Sequence, residues 1–234
     1  MGISMNLTLL LSGCSAAATV LPKIYLLRMA YNDGTVTVVD SNTAVALAQY
    51  VGKTDLEVRI GYFGVCANLA PPVWFCSSNV TVLANQLDDT DDPLNILYVA
   101  QKFRHVIVFP YLVIIAIILI FVVFLLLVPY PPLIQNISIL VAIVASVFIL
   151  ISVLWQHTAS VAAASIAHSL GNGTLTTGVG TSAMVMGWFS LVLLLVSVVG
   201  VYYFVRVNQN VDAAIMEERA ALEDELVELQ KEMM

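Results

Sequence analysis

The chain has 234 residues, 60% of them hydrophobic and only 11% charged. That balance excludes an ordinary soluble domain, in which charged residues make up about a quarter of the sequence. The net charge of −7, with nine scattered Lys and Arg, excludes the basic patch that nucleic-acid binding needs.

Taken in order, residues 3–27 predict a first transmembrane helix, although Asn6, Thr8, Ser12 and Ser15 dilute its apolar run. Leu11-Ser-Gly-Cys14 also reads as a lipobox, which keeps a cleaved signal open as the alternative. Against it, residues 1–11 carry no Lys or Arg, so the basic leader of a signal peptide is missing. On the preferred reading Cys14 is a small buried apolar residue.

Residues 28–105 form the largest extramembrane piece. Asn32-Asp-Gly34 signals a turn, and residues 35–39, 56–60 and 79–83 have strand composition or alternation. Asp92-Pro93 reads as N-cap and first position of a helix over 93–105. The expectation is a small extracellular β-sheet with one short helix beside the membrane.

Uncharged runs then predict spans at 106–128, 137–155 and 183–205. A proline-stiffened cytoplasmic turn, 129–136, joins the first two. Alanine-rich sequence continues the third helix to residue 170, outside the membrane, and a Gly/Thr-rich loop over 171–182 returns the chain to a last span at 183–206. The tail, 207–234, is acidic and helical. Ile215, Leu222 and Leu229 recur every seven residues, so either a short coiled coil or a solvated helix fits it.

Within the first loop one motif stands apart: Gly61-Tyr62-Phe63-Gly64-Val65-Cys66, with Cys76 ten residues later. The glycines permit close backbone approach, and Tyr62 and Phe63 add apolar bulk. A Cys66–Cys76 bridge would close a short loop and contribute about 2.8 kcal/mol. The pair reads as a structural staple, since two cysteines without a nearby histidine make a poor zinc site.

Asp88, Asp89, Asp91 and Asp92 concentrate negative charge that would attract cations, calcium above all. Their spacing is not that of an EF-hand, and a solvated acidic loop before a helix N-terminus explains them equally. Calcium is thus the one ion considered, and no cofactor is expected.

Two topology signals disagree. Lys23, Arg28, Lys102 and Arg104 against Arg206 would place the first loop inside. The cysteine pair and the sequons at Asn79 and Asn172 place it outside, as a glycosylated and oxidised face. We take the loop as extracellular and both termini as cytoplasmic.

The sequence holds no Gly-X-Ser-X-Gly, His-Glu-X-X-His or phosphate-binding loop, so no enzyme is expected. The apolar spans hold no Asp, Glu, Lys or Arg, which argues against a self-sufficient ion pathway. Gln156 and His157 read as polar groups at the interface.

Four spans, a long first loop with the Gly61–Cys66…Cys76 motif and a short second loop resemble the claudin superfamily. The motif is most similar to that of the fungal claudin-like Factor-Induced-Gene family, which is linked to calcium entry and membrane fusion in mating. No tryptophan precedes Gly61 where animal claudins carry one, so a tight-junction role is disfavoured. The resemblance implies a plasma-membrane, left-handed four-helix bundle with an extracellular sheet pinned by Cys66–Cys76. It implies partners in the bilayer, a calcium channel, and self-association or a membrane protein in cis or trans. A structural organiser of membrane domains, of the eisosome-associated four-span type, is the alternative, and an oligomeric pore is the least favoured.

Overall fold

The structure, a computed structural model, describes residues 2–18, 20–31, 51, 54–70, 73–86, 92–127, 132–171 and 174–232. Helix α1 spans Gly2–Ser12 and buries Leu7, Leu10 and Leu11. A turn and a single 3-10 turn, Leu21–Lys23, lead into strand β1, Leu27–Tyr31. Strands β2 (Glu57–Ile60), β3 (Val65–Ala70) and β4 (Val73–Ser77) follow, then the short helix α2, Val80–Ala84. Helices α3 (Ile96–Ile107), α4 (Tyr111–Leu126) and α5 (Pro132–Leu170) come next. Strand β5 (Leu175–Val179) precedes the last helix, α6 (Thr181–Glu232).

The five strands form one antiparallel sheet in the order β4-β3-β2-β1-β5. Leu27, Met29, Val58, Ile60 and Val65 are buried in the core. Amphipathic α3 packs on β2 and β3, burying Ile96, Leu97, Ala100 and Phe103 at helical spacing. The outer part of α5 packs on β1 and β5.

Below the sheet, α1 packs on α6 and α4, α4 on α5, and α5 on α6, which closes a ring of four helices. Segments 134–169 of α5 and 181–223 of α6 are long and apolar enough to cross a membrane. Helices α3 and α4 pass the same test only together, across a 46° bend. Outward-facing Ile118, Phe121, Phe124, Leu140 and Val196 are exposed. Such a continuous apolar surface is stable in lipid and not in water. This is a membrane protein.

Several local expectations change. The helix expected over 3–27 is helical only at Gly2–Ser12, whose 11 residues extend roughly 16 Å. Cys14 takes a left-handed conformation (φ 55°), and its N–H bonds the Leu21 carbonyl at 3.0 Å, so the chain turns out of the helix. The remaining apolar residues, Ile24, Leu26, Leu27 and Met29, are buried on the way into and along β1. An apolar run of that length cannot tell a buried strand from a helix.

The strand expected over 79–83 is helix α2. Asn79 Oδ1 accepts from the Thr81 N–H at 3.0 Å and from Thr81 Oγ1 at 2.6 Å, a cap that overrides the β-branched composition. The strand expected at 56–60 is β2, and the one expected at 35–39 lies outside the described residues. The helix expected over 93–105 begins at Ile96, yet Asp92 still caps it from four residues upstream.

Candidate functional site

The Gly61–Gly64 turn joins β2 to β3 and sits where the sheet meets the helix ring. It closes through the Gly61 N–H, which bonds the Gly64 carbonyl at 2.9 Å. A Cβ at Gly61 would strike the Gly13 carbonyl oxygen, and one at Gly64 would strike that of Cys14. The motif's glycines are therefore required by backbone laid on backbone: the hairpin tip rests on the exit of α1.

The two aromatics divide the work. Tyr62 is buried, with its phenol close to Ser152 of α5. Burial pushes its phenol well above the ordinary range, while the Ser152 contact acts in the opposite direction. Phe63 is exposed, and its carbonyl accepts from Arg104 Nη1 at 3.2 Å. Desolvation lowers the pKa of that guanidinium.

Cys66 and Cys76 form a disulfide between directly paired positions of β3 and β4, with Cα atoms 4.0 Å apart. Cross-strand partners continue the line through Arg59 to Arg28. Glu57 Oε1 holds Arg28 Nε at 2.7 Å and Arg59 Nε at 2.8 Å. Arg59 Nη1 also donates to the Pro22 carbonyl at 2.9 Å. Its guanidinium lies over Trp74 (4.1 Å to the centroid) and Tyr25 (5.0 Å). The alternation of residues 56–60 put Glu57 and Arg59 on one face, but nothing local announced Trp74 and Tyr25 as partners.

Cys14 is a buried free thiol whose Sγ donates to the Ile24 carbonyl at 3.6 Å. Gln156 is buried on α5, and its amide meets no hydrogen-bond partner among the described residues. His157 is exposed and edge-on to Trp188.

Of the four aspartates only Asp92 is described, and its oxygens are taken. Oδ1 accepts from Tyr31 Oη at 2.7 Å and from the Ile96 N–H at 2.8 Å, and Oδ2 from the Leu97 N–H at 3.0 Å. Asp88, Asp89 and Asp91 lie outside the described residues, as does Asn172. Among the described residues no group of three or more His, Cys, Asp or Glu could hold a metal. Asn79 is exposed at the start of α2.

Fold and site together define a mainly helical membrane protein that carries a disulfide-pinned antiparallel sheet. Residues 43–207 match the Fig1 family, described as "Ca2+ regulator and membrane fusion protein Fig1", and the chain belongs to that family. The matched region holds the whole Gly61–Cys76 motif and stops just short of the acidic tail. No curated protein matches the chain.

Proposed function

We propose that this is a claudin-like, four-span plasma-membrane protein that supports calcium influx and cell–cell contact or membrane fusion during fungal mating. In this reading α4, α5 and α6 cross the bilayer, the short α1 with the turn after it makes the first of the four passages, both termini are cytoplasmic, and the sheet faces outward. The observation that carries it is the disulfide-pinned sheet locked onto a helix ring, whose Gly61–Cys76 motif lies inside the region that matches a calcium-regulator and fusion family. An oxidised, rigid ectodomain with exposed Phe63 and Phe75 suits contact with a partner in cis or trans.

Calcium enters through a partner channel rather than through this chain. The apolar segments 111–126, 134–169 and 181–205 hold no Asp, Glu, Lys or Arg to line a cation path. Asp88, Asp89 and Asp91 concentrate calcium near that partner, while Asp92 serves the fold. Asn79 and Asn172 carry glycans on the same face.

The test is calcium uptake in cells responding to mating pheromone, with surface level measured for each variant. Wild type is compared with Cys66→Ala/Cys76→Ala and with Asp88, Asp89 and Asp91 changed to Asn. Loss of uptake in the aspartate variant at normal surface level supports a direct field on calcium. Loss only in the cysteine variant assigns the effect to the ectodomain and its partner. Uptake unchanged in both would end the calcium reading.

A further inference from the structure

A crevice of about 560 Å³ lies between the core face of the sheet, α3 and the outer part of α5. Leu27, Met29 and Leu175 form its floor, Phe103 and Ala167 its walls, and Lys102 is the one charged residue on it. The size is that of a small-molecule site. Filled by water, so apolar a lining would be costly at about 25 cal/mol per Å².

Its position decides what fills it. The crevice begins at Val106 and Ile107, where Trp155 Nε1 donates to the Ile107 carbonyl at 3.0 Å and Phe109 packs edge-on to Trp155. Tryptophan and its aromatic neighbours mark the level of lipid headgroups. From there the crevice runs outward along α3 and α5, with Val99, Val106 and Ile166 exposed. An occupant therefore arrives from the bilayer.

Lys102 sets its chemistry. The ammonium lies 5.5 Å from the centre of the Tyr98 ring, and no described carboxylate lies within ion-pair distance. A compact cation on a flexible stem beside an apolar groove matches a phosphate joined to a hydrocarbon chain. We propose that the crevice binds a glycerophospholipid of the outer leaflet, its phosphate on Lys102 and one acyl chain on the apolar floor. The inference rests on the membrane placement of α4–α6 and not on the calcium reading.

The test uses the full chain in phosphatidylcholine vesicles doped with a phosphatidylcholine bearing a diazirine on one acyl chain. After irradiation, labelled peptides are mapped by mass spectrometry. Label is expected on 94–107 or 163–175 as well as on 111–126. Ile166→Trp, at the exposed rim, should block the crevice label and leave that on 111–126. Lys102→Glu should lower the crevice label roughly tenfold, as loss of one charge-assisted contact implies, and Lys102→Arg should keep it.

Label on 111–126 but none in the crevice of the wild type overturns the proposal and leaves the membrane placement standing. Label on neither overturns both. Dimers linked through Val99→Cys, with the crevice unlabelled, would show a second copy seated there and overturn the lipid assignment. Cys14 is buried and does not compete in that experiment.

Discussion

The guanidinium of Arg59 lies 4.1 Å from the centroid of the Trp74 indole, on the sheet face that also carries the Cys66–Cys76 bridge. The contact joins β2 to β4 across β3, so these strands are held by a stacked cation as well as a disulfide. Arg59→Met also removes bonds to Glu57 and the Pro22 carbonyl, and should cost about 2–3 kcal/mol. In a double-mutant cycle with Trp74→Leu, read as protease resistance over a denaturant series, the coupling should be about 1 kcal/mol. A coupling near zero would remove the stacking from the account.

Gly64→Ala tests the backbone contact. The new methyl would occupy the place of the Cys14 carbonyl, and Cys14 is itself fixed by its bond to Leu21. Overpacking of this kind costs about 1–3 kcal/mol or more, so the fraction reaching the cell surface should fall severalfold. Gly178→Ala, whose Cβ meets nothing within 4 Å, should leave that fraction unchanged. Equal behaviour of the two variants would sink the close-approach explanation.

What the sequence disclosed follows the range of the forces involved. The apolar runs within α5 and α6 and the alternation of β2 are local patterns, and they were legible. The need for small residues at 61 and 64 was legible too, but not that the backbone after α1 would fill the space. Strand β1 was hidden because Ile24–Met29, broken only by Arg28, continues the apolar run of the first segment and shows no strict alternation. Strand β5 was hidden because its Gly/Thr-rich sequence gains strand geometry only by pairing with β1, a contact such as Thr176 to Ala30 that spans 146 residues. At 79–83 the composition favoured a strand, and one cap outweighed it. The pairing of Lys102 with an apolar crevice depends on three elements at once and leaves no local trace.

Asp92 should behave differently from the other aspartates. Its carboxylate accepts from one hydroxyl and two backbone N–H groups, joining β1 to the start of α3. Asp92→Ala should destabilise the protein by about 2–3 kcal/mol, and Asp92→Asn by less because one acceptor remains. On the sequence reading of a solvated acidic loop, changing Asp88, Asp89 and Asp91 to Asn should stay within about 0.5 kcal/mol. Denaturant midpoints of the detergent-solubilised chain measure all three. If Asp92→Ala proves neutral, the capping role is wrong.

The three cysteines give a counting test. Maleimide should label none in the folded protein, one after denaturation without reductant, and three after denaturation with reductant. Label on the folded protein would mean that Cys14 is accessible. Three labels without reductant would mean that the bridge is absent. Cys66→Ala/Cys76→Ala should lower stability by about 3 kcal/mol on the chain-entropy estimate.

Asn79 has two duties that one substitution can separate. Its Oδ1 caps α2, while a glycan would attach through its amide nitrogen. Asn79→Asp keeps the accepting oxygen and removes the nitrogen. If the sequon is used, this variant should migrate faster in electrophoresis, by the same shift that glycosidase produces at that site. Its denaturant midpoint should remain within about 0.5 kcal/mol of wild type, whereas Asn79→Ala should lose about 1 kcal/mol with the cap. Unchanged migration of Asn79→Asp would show that this face carries no glycan at Asn79, and the outward orientation would then rest on the disulfide and the Asn172 sequon.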